Sequence, residues 1–351
     1  MQIVFKLFQW YALNKRVLPW REITDPYKIW LSEIIMQQTQ VQQGLPYYNK
    51  FTDRFPTVND LANAPEDEVL RLWQGLGYYS RARNLHAAAK QVISDYGGVF
   101  PADYNKLLAL KGVGEYTAAA IASFAFGLPF PVVDGNVYRF ISRLYGITEP
   151  INTNASRKIF TAILNDQIPP DTPDIFNSAI MEFGALHCKP QNPLCNSCPF
   201  NNECYAFRTN TVKEFPVKAA KKKVKVRYFN YFDFQFDGGF YLNKRPAGDI
   251  WQGLYEFPLL ETAEPLPEYE AIKAFSDITG NEKGWKLQET KHFVHKLTHQ
   301  TIYASFFKVN CAKKPDMTGF DHQLIQSEEL DKYPVHRLLE KYLLLLQEEH
   351  D

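Results

Sequence analysis

Four of the five cysteines of this 351-residue chain lie within one short segment, where their thiols could bind metal. They are separated by six, two and five residues in a loop that contains prolines: Cys188, Cys195, Cys198 and Cys204. Zinc sites usually pair two short Cys-x-x-Cys knuckles, whereas this loop has only one, so the spacing favours a [4Fe-4S] cluster over zinc. Disulfides are the least expected alternative, because the first ten residues lack the apolar run of a secretory signal peptide.

A Gly-x-Gly turn between two predicted helices is the second candidate site. Residues 110–118 read LKGVGEYTA, the pattern of a helix-hairpin-helix, although an ordinary tight turn between helices would look the same. Gly112 and Gly114 allow backbone angles that bring bare amide groups against a phosphate, without reading bases. Asp134 follows about twenty residues later in VVDGNV, where aspartate alone would predict a turn or a helix N-cap.

The spacing of apolar residues predicts the elements that carry these side chains. Helical spacing recurs in the first part of the chain, at 67–73, 82–93, 103–110, 116–126 and 176–186. The pattern then becomes that of strands, with a hairpin around Gly238-Gly239 within 228–242, a strand at 301–309 and a closing helix at 335–348. We therefore expect a multidomain α and α+β protein: an all-helical domain at 1–208, a basic linker at 209–227 and a smaller α+β domain at 228–351.

Charge is unevenly distributed although the formal net charge is zero. The predicted linker carries seven Lys or Arg and one Glu, so it could contact phosphates or be a solvated connection, and charge alone supports both equally. No stretch has the roughly 18–20 apolar residues of a membrane span, so no membrane contact is expected.

The hairpin, the VDGNV motif and the cysteine loop, in this order, resemble the endonuclease III superfamily of base-excision glycosylases. The resemblance implies a helix-hairpin-helix domain in which Asp134 faces a flipped-out nucleotide and the four cysteines hold a [4Fe-4S] cluster. Members that also cut the DNA backbone carry a lysine just before Thr-Ala in the second helix of the hairpin. This chain has Tyr116 there, and a phenol cannot form a Schiff base, so weak or no lyase activity is expected.

Two N-terminal segments resemble the adenine glycosylases of the MutY type: LPWR at 18–21 and IWLSEIIMQQTQV at 29–41. Glu33 matches the acid that protonates adenine, which leaves the sugar poorly as an anion. Apolar neighbours would raise the pKa of Glu33, and an ionised Asp134 would stabilise the oxocarbenium ion. Without the motif, an exposed helix glutamate would be the commoner interpretation of Glu33.

The same resemblance implies roles for further residues. Two would enter the base stack while adenine is extruded: Gln38 and Tyr78. Two arginines would contact DNA: Arg16 and Arg21. The catalytic pocket and its adenine-binding wall would include Tyr116, Asn136, Trp20 and Ser178. Ser178 stands where the family usually has a longer Gln or Glu that hydrogen-bonds adenine, so a water or another side chain would take that contact.

The C-terminal part resembles the Nudix-related domain with which MutY proteins recognise 8-oxoguanine. The resemblance lies in residues 242–258, which contain KRP and WQGLYEFP. No helix dense in glutamates follows Gly253, so we expect binding without pyrophosphatase activity. The family's recognition loop reads approximately His-x-Phe-Ser-His, and we assign it to Leu297, Thr298 and His299, where Thr298 retains the hydroxyl. An alternative alignment to residues 292–295 retains the phenylalanine of this pattern but has no hydroxyl.

Together these resemblances imply a base-excision glycosylase that removes adenine mispaired with 8-oxoguanine, and with guanine, from double-stranded DNA. A monomer in the cytoplasm, associated with the nucleoid in a bacterium, is expected, with repair or replication partners that could bind the linker. Two alternatives stay open: a helix-hairpin-helix glycosylase for another mismatched base such as thymine, and a non-catalytic damage-binding module.

Overall fold

The structure, a computed structural model, describes residues 2–151, 153–219, 224–279, 285–311, 314 and 321–348. It divides into two compact units, one of Met1–Asn63 with Ala87–Lys221 and one of Ala64–His86 with Lys222–Asp351. The first unit is built from helices and the second is built around a mixed sheet. The predicted fold class, helical and then α+β, is confirmed; the predicted domain boundaries stay predictions.

Twelve helices are seen in the first 208 residues, over the part of the chain that is described. They are α1 (Gln2–Asn14), α2 (Pro26–Met36), α3 (Val41–Arg54), α4 (Val58–Asn63), α5 (Glu66–Trp73), α6 (Ser80–Tyr96), α7 (Tyr104–Leu108), α8 (Glu115–Phe126), α9 (Gly135–Tyr145), α10 (Asn154–Asn165), α11 (Pro173–Leu186) and α12 (Tyr205–Arg208). The predicted helix at 103–110 is shorter than expected, because the chain turns before α8 with a φ of 74° at Gly112.

Local sequence explains why the central helices begin and end where they do. The Asp25 side chain accepts hydrogen bonds at the start of α2, and Pro26 fits the first helical position, where no amide hydrogen is needed. Helix α8 ends at Gly127, whose φ of 63° suits glycine. Buried alanines at 118–120 let α8 pack closely against α2 and α11, so these helices hold the site rigidly.

The sheet of the second unit has seven strands within the described residues. They are β1 (Lys225–Phe236), β2 (Gly239–Lys244), β3 (Tyr255–Glu256), β4 (Leu259–Thr262), β5 (Trp285–Lys296), β6 (Gln300–Cys311) and β7 (His322–Gln326). The main order is β3-β2-β1-β6-β5, with β1 and β6 parallel, β4 paired to β1 and β7 paired to β2. Two helices that follow β4 and β7 in sequence, α13 (Glu268–Thr279) and α14 (Arg337–Glu348), belong to the same unit, as does α5.

The hairpin predicted around Gly238-Gly239 is present. Strands β1 and β2 are antiparallel, and Asp237 and Gly238 have φ values of 51° and 72°. Two positive φ angles in a two-residue connection are those of a type I′ turn, which matches the twist of the flanking strands. The glutamates of α13, Glu268 and Glu270, lie in its first turn.

Residues 64–86 belong to the second unit although they lie early in the sequence. The Lys244 Nζ atom lies 2.5 Å from Asp67 Oδ1, and Arg83 Nη1 donates to the Gln252 carbonyl at 2.7 Å. Within the described residues, no helix is long and apolar enough to cross a membrane.

Part of the predicted basic linker at 209–227 has a structural role. Arg227 is buried, and its guanidinium donates to Asp249 at 2.6 Å and to Glu261 at 2.6 Å. This residue is therefore not available to phosphates. Lys221, Lys222 and Lys223, which carry much of the predicted linker charge, lie outside the described residues.

Candidate active site

One cavity of about 390 Å³ lies within the first unit, between α2, α8, α9, α11 and the segment that precedes α2. Eight of the residues singled out from the sequence line it: Arg16, Trp20, Arg21, Glu33, Tyr116, Asp134, Asn136 and Ser178. These positions span more than 160 residues of sequence. The fold thus brings both candidate carboxylates and the candidate adenine-binding wall to one space.

Glu33 projects from α2 into this cavity and is only 9% exposed. The Tyr116 hydroxyl, in the first turn of α8, donates to Glu33 Oε2 at 2.6 Å. Burial raises the pKa of Glu33, and this effect exceeds the opposite effects of the Tyr116 hydrogen bond and of the Arg21 charge. The raised pKa agrees with the expectation that Glu33 is a proton donor.

Asp134 is the N-cap of α9 and its carboxylate is held in a fixed orientation. Oδ1 accepts from the amides of Asn136 at 2.9 Å and Val137 at 2.8 Å, and Oδ2 accepts from Asn136 Nδ2 at 2.7 Å. Burial raises the pKa of Asp134 more than these donors and Arg139 lower it. That Asp134 is ionised at neutral pH stays a prediction, supported by the three donors that favour the anion.

Two residues that the sequence reasoning missed hold Asn136 in place. Arg139 Nη2 donates to Asn136 Oδ1 at 2.9 Å and to the Gly184 carbonyl at 2.6 Å. A Cβ atom added to Gly184 would lie 2.7 Å from Asn136 Cβ, so α11 can approach α9 this closely only because residue 184 is glycine. The VDGNV motif identified Asn136 from the sequence. Its contacts with Arg139 and Gly184 could not be identified in this way, because they depend on how α9 and α11 pack.

The predicted DNA-contacting arginines are engaged by a buried carboxylate. Arg16 donates from Nε to Glu182 Oε1 at 2.6 Å and from Nη2 to Oε2 at 2.7 Å, and its backbone amide also reaches Oε1 at 3.0 Å. Arg21 Nη2 lies 3.6 Å from Glu182 Oε2. This geometry fixes the segment before α2 over the cavity; a DNA contact by either arginine stays a prediction.

A second, more open cavity of about 800 Å³ adjoins the first and shares Glu33, Tyr116, Asp134 and Asn136 with it. Gln38, Gly112 and Gly114 line this groove, as does Arg157, which the sequence reasoning missed. Arg157 Nη1 lies 3.1 Å from Glu115 Oε1, at the start of α8. Gln38 has a φ of 56°, an uncommon conformation for a residue other than glycine and one often found at functional sites.

Known proteins resemble this chain in both units. Residues 31–165 match the HhH-GPD superfamily of base excision DNA repair proteins, and residues 233–345 match the NUDIX domain. An adenine DNA glycosylase of Buchnera aphidicola subsp. Baizongia pistaciae is 36% identical, over 85% of this chain and 83% of that protein. The chain belongs to the adenine DNA glycosylase family.

Two solved structures share the helical fold of this family member. A thermostable thymine-DNA glycosylase has a TM-score of 0.56 and 31% identity, over 59% of this chain and 96% of that chain. A non-covalent endonuclease III–DNA complex has a TM-score of 0.52 and 25% identity, over 60% of this chain and 96% of that chain. The expected relation to the endonuclease III superfamily is therefore confirmed.

In the second unit of this adenine DNA glycosylase family member, two predicted DNA-contacting side chains meet. The Tyr78 hydroxyl and Thr298 Oγ1 are 2.6 Å apart. Thr298 and His299 are exposed in the turn between β5 and β6, and Leu297 is half-buried there. Tyr78 is 50% exposed and has a φ of 48°, so it is not a buried core aromatic.

The four clustered cysteines surround one largely apolar space and none is in a disulfide. Arg143 Nη1 donates to Cys188 Sγ at 3.4 Å, and burial raises the pKa of the Cys198 thiol to about 12. Among the described residues, no three potential ligands are close enough to hold a single metal ion. Four soft thiol donors around a shared space nevertheless form a donor set that suits an iron-sulfur cluster.

Proposed function

We propose that this chain hydrolyses the N-glycosidic bond of adenine mispaired with 8-oxoguanine, and with guanine, in double-stranded DNA. The observation that carries the proposal is one cavity with a buried acid, Glu33, and a hydrogen-bonded carboxylate, Asp134. The cavity adjoins an open groove lined by the hairpin glycines, which suits a base flipped out of a duplex. The relative named adenine DNA glycosylase aligns with both units, which supports adenine over thymine as the base removed.

Glu33 would act as the general acid. Its Oε2 atom accepts the Tyr116 hydroxyl, so the proton of the neutral acid would sit on Oε1 and be given to a ring nitrogen of adenine. Protonation turns the departing base into a neutral leaving group. The raised pKa of Glu33 keeps the acid form populated until that step.

Asp134 would stabilise the positive charge that develops on the sugar. The two amides at the start of α9 and the Asn136 side chain orient its carboxylate before the base arrives, so little reorganisation is needed in the transition state. The sequence carries Tyr116 where a lyase would have lysine, so base removal without efficient backbone cleavage is the expected outcome.

DNA contacts are assigned to both units. The amides that follow Gly112 and Gly114 at the start of α8 would bind a phosphate. Gln38 and Tyr78, both with positive φ, would enter the base stack and offset part of the cost of extruding adenine. The exposed turn with Leu297, Thr298 and His299 would contact 8-oxoguanine.

Cys188, Cys195, Cys198 and Cys204 would hold a [4Fe-4S] cluster. When bound, the cluster would cross-link the loop after α11 and leave no open position for activating water, so its contribution would be structural. The chain would work as a monomer on chromosomal DNA in the cytoplasm, with repair or replication partners able to bind the lysine-rich stretch between the units.

Single-turnover release of adenine from a duplex with an 8-oxoguanine:adenine pair tests this function. We expect the wild type to release adenine. Both Glu33→Gln and Asp134→Asn should slow release by roughly a hundredfold or more, since the first removes the proton donor and the second removes the negative charge that stabilises the sugar cation. Near wild-type rates in both variants would contradict the mechanism. A thymine mismatch serves as the control substrate, and faster release of thymine than adenine would favour the alternative specificity.

A further inference from the structure

The cavity assigned to adenine is lined by five carboxylates, and four of them have partners: Glu22, Glu33, Asp134 and Glu182. The fifth is Asp174. Among the residues that the structure describes, Asp174 has no hydrogen-bond or ion-pair partner; it is solvent-exposed and belongs to the lining of the cavity. One acceptor in the wall of this cavity is therefore free.

Asp174 lies on the same wall as Ser178. It is in the first turn of α11, four residues before Ser178, and residues four apart on a helix are neighbours on one face. Ser178 is buried in the same wall, and its hydroxyl is short. The carboxylate one turn away lines the same cavity, so we expect it to serve the part of the cavity that a longer side chain at 178 would occupy.

The chemistry of adenine requires such an acceptor. Its exocyclic amine has two hydrogens to donate, whereas Arg16 and Arg21, which also line the cavity, can only donate. When Glu33 protonates the ring, positive charge spreads to that amine and strengthens a hydrogen bond to an anion. A hydrogen bond from the amine to an ionised acceptor is therefore strongest in the transition state. An interaction that is stronger there than in the ground state raises the rate of base release.

We propose that Asp174 accepts a hydrogen bond from the exocyclic amine of the flipped base and so selects adenine. The inference rests on the proposed function, because it assumes that this cavity receives adenine. It assigns the contact to a side chain of α11 rather than to a water at Ser178.

The test compares base release from two duplexes, one with adenine and one with purine, which lacks the amine, opposite 8-oxoguanine. Second-order rate constants are taken from single-turnover rates at several enzyme concentrations. We expect Asp174→Ala to lower the rate for adenine roughly tenfold or more and to leave the rate for purine unchanged. The rate constant of Asp174→Asn for adenine should lie between those of the wild type and Asp174→Ala, because the amide oxygen accepts a hydrogen bond but is not charged.

Two further variants separate recognition from folding. Asp171→Asn removes an exposed carboxylate just before the same helix, outside the cavity, and should change neither rate. Adding Ser178→Gln to Asp174→Ala should restore the rate for adenine, because the longer amide supplies an acceptor from the same wall.

Equal slowing of adenine and purine release by Asp174→Ala would overturn the inference, as would no slowing of either. Failure of Ser178→Gln to restore adenine release would also count against it. The proposed function fails separately and visibly, since in that case the wild-type protein would release no adenine.

Discussion

Glu33 and Tyr116 act as one hydrogen-bonded unit, and neither can be interpreted from its own sequence neighbours alone. The Tyr116 hydroxyl lowers the pKa that burial raises, so the phenol sets how far the acid is shifted as well as its orientation. Tyr116, which stands where lyases carry a lysine, thus has a role of its own: it orients Glu33 and limits the rise in its pKa.

We expect Tyr116→Phe to slow adenine release roughly tenfold, because the acid loses its orienting partner. The pKa of Glu33 should also rise, since the hydrogen bond that lowers it is gone. Glu33 is active when protonated, so the alkaline fall of the single-turnover rate should move to higher pH. Rates measured from pH 5 to 9 at saturating enzyme would show this shift.

Tyr104→Phe is the matched control, because Tyr104 stacks on Phe130 with ring centroids 4.4 Å apart and does not line the cavity that contains Glu33. It should leave both the rate and the pH profile unchanged. A Tyr116→Phe profile that moves to lower pH would contradict the assignment of Glu33 as the acid.

At the scale of elements, Asp134 has two functions, since the same carboxylate begins α9 and faces the cavity. Asparagine caps helices about as well as aspartate, whereas alanine at the N-cap lowers the free energy of unfolding by about 1 kcal/mol. We therefore expect Asp134→Asn to lose activity and keep its stability. Asp134→Ala should lose activity and also about 1 kcal/mol in the free energy of unfolding. Urea denaturation alongside the adenine-release assay measures both.

Asp103→Ala provides the comparison, because Asp103 caps α7 by accepting from the Lys106 amide at 2.9 Å but lies outside the cavity. It should lower stability with little effect on the rate constant. If Asp134→Asn destabilised the protein as much as Asp134→Ala, the loss of activity could not be assigned to charge.

The sequence predicted the residues that face the cavity better than the residues that support them. Glu33, Asp134 and Tyr116 lie in motifs with fixed spacing, but of the three helices that carry them, α2, α8 and α9, periodicity predicted only α8. Glu182 and Arg139 were missed, because Arg16 lies 166 residues from Glu182 and the Gly184 carbonyl lies 45 residues from Arg139, so these contacts form only when α11 packs against the segment before α2 and against α9. Strand β5 was missed for a local reason: its sequence, WKLQETKHFVHK, is rich in charged and histidine residues that are uncommon in strands.

At the scale of the whole molecule, the proposed function requires the second unit to recognise the base opposite adenine. We expect Thr298→Val to reduce the preference for 8-oxoguanine:adenine over guanine:adenine pairs several-fold, because one polar contact to the lesion is lost. The ratio of single-turnover rates on the two duplexes measures this preference. Thr301→Val, in the adjoining strand β6, is the control and should keep the ratio; an equal loss on both duplexes in Thr298→Val would argue against recognition of 8-oxoguanine by the turn.

The stability of the second unit should depend on pH through Asp233. This fully buried carboxyl accepts from Tyr342 at 2.9 Å and Gln235 at 3.0 Å, and burial raises its pKa to about 6. Because the unfolded value is about 3.9, its stabilising contribution is complete below that pH and is lost as pH rises through about 6. Between pH 5 and 7.5 the loss is about 1 kcal/mol.

Asp233→Asn removes this titration. Relative to wild type, its free energy of unfolding should therefore increase by about 1 kcal/mol from pH 5 to pH 7.5 in urea denaturation. Asp237→Asn, an exposed position in the turn after β1, should show no such change relative to wild type. A constant difference for Asp233→Asn at both pH values would show that the buried carboxyl does not titrate in this range.

The placement of residues 64–86 in the second unit has a consequence for synthesis on the ribosome. Val69, Leu70 and Trp73 are fully buried, yet the strands of their unit begin only at Lys225. At about 5–20 residues per second, these apolar side chains are made roughly 15–55 s before the last of their unit. The rest of the unit that buries these side chains is incomplete during that interval, so this segment is where we expect a nascent-chain chaperone to bind.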